Sequence, residues 1–180
     1  MSVFELKDFS LFTASGNVLL KDVNLKMRKG EALHLVGENG VGKSTLILSI
    51  LNKHQAYAGE LTRSFNSYSY LAQLSNKNPK LPIALRDVSS VEYPFYPKSM
   101  FDIALQTASG GERKKAMLSR VFAENSDFMI LDEPFNHLDQ KSIVLVKEYL
   151  DNYIKSGRSL LITGHTDLGH RKEDLSKWTC

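Results

Sequence analysis

A glycine-rich segment at residues 37–45 restricts the possible folds more sharply than any other part of the sequence. It follows an apolar run at residues 31–36 that predicts a buried strand, and it precedes an apolar run with helical spacing at residues 46–51. Glycines let successive backbone N–H groups point into one loop, and the start of a helix adds positive potential. A strand, an anion-binding loop and a helix in this order predict an α/β core that binds phosphate at the loop.

The side chains of this segment predict how a nucleotide and a metal ion would be held. Lys43 is expected to reach the β- and γ-phosphates as a point charge, and the Ser44 hydroxyl is a hard oxygen ligand suited to Mg²⁺. A glycine-rich turn with an exposed lysine is the alternative interpretation. The predicted nucleotide-binding residues of the loop are Gly37, Asn39, Gly40, Val41, Gly42, Lys43, Ser44 and Thr45.

Further short apolar runs indicate that the loop belongs to a central sheet. Several of them are almost continuously apolar, as expected of parallel strands that are buried on both faces. Apolar residues between positions 143 and 154 recur at three- and four-residue spacing, which predicts a helix packed on that sheet. The predicted strands lie at residues 3–9, 23–27, 31–36, 68–71, 128–131 and 160–163.

Two carboxylates follow one of these predicted strands directly. Asp132 and Glu133 come after the run at 128–131, where a parallel sheet presents ligands at its C-terminal edge. Asp132 is expected to hold Mg²⁺, and Glu133 is expected to orient or deprotonate a water molecule beside the γ-phosphate. Taken alone, an Asp-Glu-Pro turn is also compatible with a solvated loop.

Length and composition predict one ordinary globular domain over residues 1–180. The chain is 42% hydrophobic and 24% charged, and its net charge of +3 is too small for the concentrated basic face of a nucleic-acid binder, so a nucleic-acid partner is not expected. The single cysteine, Cys180, excludes an intramolecular disulfide and favours a reducing compartment. The N-terminus does not read as a signal peptide, and the apolar stretches are too short to suggest a membrane span.

A proline-rich segment interrupts the regular pattern. Four of the five prolines fall between the predicted strand at 68–71 and Ser109, where regular elements should be broken. We interpret approximately residues 74–122 as a small lobe inserted into the core. Its aromatic residues could form either a docking patch or the core of the lobe, and we favour the core; they include Tyr93, Phe95, Tyr96 and Phe101.

Residues 107–112 provide the clearest family resemblance. Their sequence, Thr-Ala-Ser-Gly-Gly-Glu, resembles the signature Leu-Ser-Gly-Gly-Gln of the ATP-binding-cassette ATPases, and the other motifs occur in that family's order from about Phe12 to His165. The resemblance implies a P-loop NTPase core sheet with flanking helices, an N-terminal antiparallel β portion and an inserted helical lobe shorter than is usual in the family. Ala108 and Glu112 differ from the usual signature.

The resemblance also implies roles for residues outside the phosphate loop. Gln73 is expected to contact Mg²⁺ and the attacking water, and His165 is expected to contact the γ-phosphate. Residues 136–139, Asn-His-Leu-Asp, occupy the family's D-loop position, which ends at Asp139. The implied catalytic set is Glu133, His165 and Gln73, and the implied metal ligands are Ser44, Gln73 and Asp132.

The resemblance implies that an aromatic side chain ahead of the phosphate loop stacks on the adenine base. Phe12 lies near the position of the aromatic residue that usually stacks on the base in this family. An aromatic ring suits this role because its π-face can bind a base without a hydrogen bond. Phe9 is the rival candidate. Each could instead be a strand aromatic in the core.

The signature sequence predicts a second anion-binding helix start. In the family it closes over ATP held by a second cassette, which implies a homodimer or a heterodimer with another ATPase of this type. An ordinary helix N-cap is the alternative. The next residues, Arg113, Lys114 and Lys115, are most simply a solvated helix face. The implied signature contacts are Ser109, Gly110, Gly111 and Glu112.

Two functions are compatible with these motifs. The first is the Mg-ATP-hydrolysing subunit of a membrane transporter, which implies an integral-membrane partner and a cytoplasmic location, peripheral on the cytoplasmic face of a membrane. The second is a soluble, non-transport ATPase that clamps a ribosome, a nucleic acid or a protein complex. The resemblance covers both classes.

Overall fold

The computed structural model describes residues 1–73, 83–166 and 168–179. The first part of the predicted lobe, residues 74–82, lies outside these ranges, and so does Cys180. The described chain contains eight strands, four α-helices and two short 3₁₀ turns, which confirms the α/β fold class. The strands form two sheets, one antiparallel and one parallel.

The antiparallel sheet is built from the N-terminal part of the chain. Strand β1 (Ser2–Phe12) lies between β2 (Val18–Arg28) and β4 (Tyr57–Arg63). Both β1 and β2 extend beyond the predicted runs at 3–9 and 23–27. Strand β4 was not predicted because its residues are half-buried or exposed and include no apolar run.

The parallel sheet carries the phosphate loop. Its strand order is β5 (Tyr68–Leu71), β6 (Phe128–Leu131), β7 (Ser159–Thr163), β3 (Ala32–Val36) and β8 (Arg171–Asp174). Strands β6 and β7 are buried throughout, as their continuous apolar sequences predict. Strand β8 was missed because its four residues are all charged.

The parallel sheet separates two apolar cores. On β6, Phe128 and Ile130 face the core shared with the antiparallel sheet and helix α1 (Lys43–Ile50), while Met129 and Leu131 face the opposite core. The second core lies beneath α3 (Gly110–Ala123) and α4 (Gln140–Lys155). This alternation follows from the two-residue period of a strand, and it places the sheet in the middle of three layers.

The described part of the inserted lobe has little regular structure before α3. It contains one helical turn, α2 (Leu85–Val88), and a 3₁₀ turn at Lys98–Met100. The lobe aromatics form its core: Phe95 and Tyr96 are buried, and Phe95 makes an edge-on contact with Phe122 of α3. We therefore find the core interpretation of these aromatics confirmed, because their rings pack inward.

Candidate nucleotide-binding and hydrolysis site

The loop after β3 has the backbone that a phosphate cradle requires. Gly37, Gly40 and Gly42 have φ values of 139°, 84° and 113°, a region that residues with a side chain rarely adopt. Gly42 is the N-cap of helix α1 and, as a glycine, provides no side-chain cap for the N–H groups of its first turn. These N–H groups and the helix dipole together favour an anion.

Lys43 is folded back over the loop. Its ammonium donates to the carbonyl oxygens of Gly37 at 2.7 Å and Glu38 at 2.9 Å, and the side chain is buried. The alternative interpretation, an exposed lysine on an ordinary turn, is therefore wrong. A bound phosphate would replace these carbonyl oxygens as the acceptor for the Lys43 ammonium, and the resulting hydrogen bond would be charge-assisted.

A cavity of about 460 Å³ opens in front of the loop. Gln73 and Glu133 border it together with loop residues, so three motifs that are far apart in the sequence meet at one space. Thr13 and Leu19 also border it and were not predicted. The lining residues include Asn39, Gly40, Gly42, Lys43, Ser44 and Thr45.

Asp132 lies at the C-terminal end of β6 with only 1% of its surface exposed. Its Oδ1 accepts a hydrogen bond of 2.6 Å from the Thr163 hydroxyl, whereas its Oδ2, among the described residues, is buried without a hydrogen-bond partner. A buried carboxylate oxygen left in this state is costly. The position therefore fits a cation such as Mg²⁺, for which carboxylate and hydroxyl oxygens are suitable ligands.

Glu133 has an unusual backbone that is held from two sides. Its φ of 49° lies in the left-handed region, and its N–H donates to Thr163 Oγ1 at 3.0 Å. Its Oε2 accepts from Gln73 Nε2 at 3.0 Å and from Asn136 Nδ2 at 2.7 Å. Strained backbone often occurs at functional sites, where the surrounding contacts compensate for it. The side chain is thus aimed at the cavity beside Gln73.

Lys114 corrects the prediction that residues 113–115 form a solvated helix face. Its side chain is 1% exposed, and its ammonium donates to the carbonyl oxygen of Glu133 at 3.0 Å. Burial lowers the pKa of Lys114 to about 8, although the nearby carboxylates of Asp132 and Glu133 act in the opposite direction. Nothing in the sequence of three consecutive cations, residues 113–115, indicated that Lys114 would be the buried one.

The signature segment begins helix α3 with a capping box. Ser109 Oγ accepts from the Glu112 N–H at 3.2 Å, and the Glu112 carboxylate accepts from the Ser109 N–H at 2.7 Å. Gly111 lies against the D-loop, because an added Cβ would stand 2.6 Å from the carbonyl oxygen of His137. Ser109 is therefore an N-cap, as the alternative interpretation expected. It is also exposed, so its hydroxyl lies at the surface where the helix begins.

Asp139 begins helix α4. Its carboxylate accepts from the Ser142 N–H at 2.8 Å and pairs with the Lys115 ammonium at 2.6 Å. The hydrogen bond from Lys115, followed by that from the Ser142 backbone, holds the pKa of Asp139 well below its usual range. The D-loop residue therefore anchors both α4 and the start of α3.

The remaining predicted residues are less closely grouped. His165 is exposed, and the carbonyl oxygen of the preceding Gly164 accepts a hydrogen bond of 2.8 Å from the buried His34, a contact that the sequence did not suggest. Phe9 is fully buried against Tyr57 and cannot stack on a base. Phe12 is half-buried and precedes Thr13 at the cavity.

Across the described ranges, no helix has the combination of length and apolar character that is needed to cross a membrane.

Comparison with known proteins assigns the family. A family model described as ABC transporter matches residues 20–136, more than half of the chain. The lipopolysaccharide export system ATP-binding protein LptB of Escherichia coli (strain K12) is 28% identical, with 83% of this chain and 75% of LptB covered. The ribosome protection protein VmlR of Bacillus subtilis (strain 168) is also 28% identical, with 89% of this chain and 27% of VmlR covered.

The length and the fold add to this comparison. The chain spans only 27% to 39% of the length of five curated relatives that it matches. A solved structure of the ATP-binding subunit of an ABC transporter has the same fold, with a TM-score of 0.68 at 22% identity, and covers 91% of this chain and 79% of that one. The chain therefore belongs to the ABC transporter family of ATP-binding-cassette ATPases.

Proposed function

We propose that the chain binds Mg-ATP at the cavity between the phosphate loop, Gln73 and Glu133, and hydrolyses it with Glu133 as the group that activates water. The observation that carries this proposal is the convergence of Lys43, Gln73 and Glu133 on one cavity with the buried Asp132 carboxylate behind it. Proteins of this family generally use Mg-ATP, and the donor set described above fits that substrate.

The roles of the individual groups follow from their chemistry. Lys43 and the first N–H groups of α1 bind the β- and γ-phosphates. Ser44, Gln73 and Asp132 are the residues that would hold Mg²⁺, whose positive charge would offset that of the phosphates. Glu133 accepts a proton from the attacking water or orients it, and Gln73 fixes its Oε2. His165 contacts the γ-phosphate, and Phe12 stacks on adenine.

A second cassette completes the site in this proposal. Among the described residues that line the cavity, none belongs to the signature Ser109 to Glu112. The signature nevertheless presents an exposed serine hydroxyl at a helix start, and family members generally function as dimers. We therefore propose a head-to-tail pair in which Ser109, Gly110, Gly111 and Glu112 of one chain contact ATP on the other.

The partner of this dimer has two candidate classes. A membrane transporter subunit is the first, supported by the match to LptB over three quarters of that protein, and it implies a location on the cytoplasmic face of a membrane. A ribosome or another non-membrane complex is the second, supported by the match to VmlR. Homodimer and heterodimer are both compatible with either class.

Sedimentation of Glu133→Gln with saturating Mg-ATP tests the site and the pairing together. The amide removes the proton acceptor, so hydrolysis should fall by at least about 100-fold while ATP binding persists and the dimer accumulates. Lys43→Ala is the matched control, because it should lose ATP binding and remain monomeric. A Glu133→Gln chain that hydrolyses ATP normally, or a wild-type monomer with full activity, contradicts the proposal.

Affinity purification of Glu133→Gln from detergent-solubilised native cells distinguishes the two partner classes. The trapped dimer should retain its partner in stoichiometric amount with Mg-ATP and lose it with Mg-ADP. An integral membrane protein supports the transporter role. Recovery of ribosomal proteins in its place contradicts that role and supports the alternative.

A further inference from the structure

We propose that Lys114 is a positioning residue for the hydrolysis reaction, which holds Glu133 in its productive backbone conformation. The inference rests on the proposed catalytic role of Glu133. Two observations support it: the Lys114 side chain is buried, and its ammonium donates a hydrogen bond of 3.0 Å to the Glu133 carbonyl oxygen.

The burial of Lys114 is an unusual use of a lysine. Fully buried lysines are rare because removing an ammonium from water is costly, and the cost is normally offset by direct pairing with a carboxylate. Here the ammonium donates to a backbone carbonyl instead. Asp132 and Glu133 supply the negative charge near it. A methionine of similar length would fill the same volume without that cost, so packing alone does not explain a lysine.

The backbone of Glu133 explains what the contact does. A left-handed conformation is unfavourable for a residue with a side chain, so neighbouring groups must hold it. Thr163 on β7 accepts a hydrogen bond from the Glu133 N–H, and Lys114 on α3 donates one to the Glu133 carbonyl oxygen. Both polar groups of the strained residue are thus fixed, one from each side.

Loss of the Lys114 contact should displace the Glu133 carboxylate. The peptide unit after Glu133 would lose a contact that fixes its orientation. The hydrogen bonds from Gln73 and Asn136 to Glu133 Oε2 would then lose alignment. A small displacement of a water-activating group lowers the rate of the chemical step while ATP binding at the phosphate loop is little changed. Lys114 therefore acts through Glu133 and does not itself touch ATP.

Steady-state ATPase kinetics of Lys114→Met and Lys114→Arg, measured on the full chain, test this role. Lys114→Met should lower kcat by at least about 10-fold and change KM for ATP by less than about 3-fold. Lys114→Arg keeps the charge and the donor and should restore part of kcat. Arg120→Met on an exposed face of the same helix is the control and should leave both constants unchanged. A kcat of Lys114→Met within about 2-fold of wild type overturns the proposal.

A double-mutant cycle separates this inference from the assignment of Glu133. If Lys114 acts through Glu133, Lys114→Met should have no further effect on the residual rate of Glu133→Gln. Equal fold-losses in the two backgrounds overturn the inference, and an active Glu133→Gln overturns the proposed function itself. If Lys114→Met does not fold, Lys114→Gln is measured in its place, because its shorter neutral chain keeps a polar group there. The same kcat and KM criteria then apply to it.

Discussion

The Thr163 hydroxyl donates to Asp132 Oδ1 at 2.6 Å, and the same oxygen accepts the N–H of the next residue, Glu133, at 3.0 Å. One side chain from β7 thus fixes both acidic residues at the end of β6. Because the two strands are neighbours in the parallel sheet, this arrangement depends on their register, which pairs Leu131 with Ile162. Thr163 and Asp132 are each only 1% exposed and Glu133 is half-buried, so removing the hydroxyl leaves Asp132 Oδ1 without this partner at a site that water reaches poorly.

Thr163→Val should therefore damage the site without changing its shape. We expect a loss of about 1–3 kcal/mol in the free energy of unfolding, because the buried Asp132 carboxylate and the half-buried Glu133 N–H lose their partner, and a fall in kcat of at least about 10-fold. Thr163→Ser retains the hydroxyl and should stay close to wild type in kcat. Urea denaturation and ATPase assays measure both effects. Equal behaviour of the valine and serine variants would show that the hydroxyl is not needed.

Adjacent glycines at the start of α3 should differ in their tolerance of alanine. An added Cβ at Gly111 would stand 2.6 Å from the His137 carbonyl oxygen, whereas one at Gly110 would stand 3.4 Å from the His137 ring. Gly111→Ala should displace the D-loop and lower the stability by about 1–3 kcal/mol relative to Gly110→Ala. Chemical denaturation of the two variants, without nucleotide, makes the comparison. Equal stabilities contradict this prediction.

The two functions of Asp139 can be separated by substitution. Asp139→Ala removes both the cap of α4 and the ion pair with Lys115, and it should lower the unfolding free energy by about 1–2 kcal/mol. Asp139→Ser keeps a capping oxygen and loses the half-exposed ion pair and the Oδ2 that accepts from the Ser142 hydroxyl, so it should recover most of that loss. Thermal or urea unfolding distinguishes them, and a serine variant no better than alanine argues against the cap as the main contribution.

Lys114 should make stability depend on pH in the alkaline range. Its pKa is about 8 in the folded chain and 10.5 ordinarily, so between these values the unfolded chain binds more protons than the folded chain. The contribution of Lys114 to stability therefore rises with pH in that window and is constant below it. The stability of wild type relative to Lys114→Met should increase by about 2 kcal/mol between roughly pH 7 and pH 9.5. Urea denaturation at a series of pH values measures it, and a constant difference contradicts the burial argument.

The sequence contained enough information for the core of this fold. Strands β5 and β6 coincide with the predicted runs, and the loop after β3 has the positive-φ glycines expected of it, because burial on both faces and a glycine-rich turn leave direct sequence patterns. Strands β4 and β8 leave none, since an exposed edge strand and an all-charged strand form through pairing with neighbours that are distant in the sequence.

The site was predicted less completely than the fold. The meeting of Gln73, Glu133 and the phosphate loop was expected from the family resemblance, but the supporting contacts of Thr163, His34 and Lys114 were not. These residues act through tertiary neighbours, and a single sequence does not report which of three consecutive cations turns inward. The roles of the site residues, including His165, Phe12 and the signature, stay predictions.

The pairing of β3 has a consequence for biosynthesis. This strand is synthesised early, yet its two neighbours in the parallel sheet, β7 and β8, come from the last part of the chain. Translation runs from the N-terminus, and such non-local pairing can form only once both segments have left the ribosome. The strand that presents the phosphate loop therefore waits, unpaired in its sheet, until β7 and β8 have been synthesised. A nascent chain that lacks β7 should consequently not retain ATP, which makes nucleotide binding a marker that both strands have emerged from the ribosome.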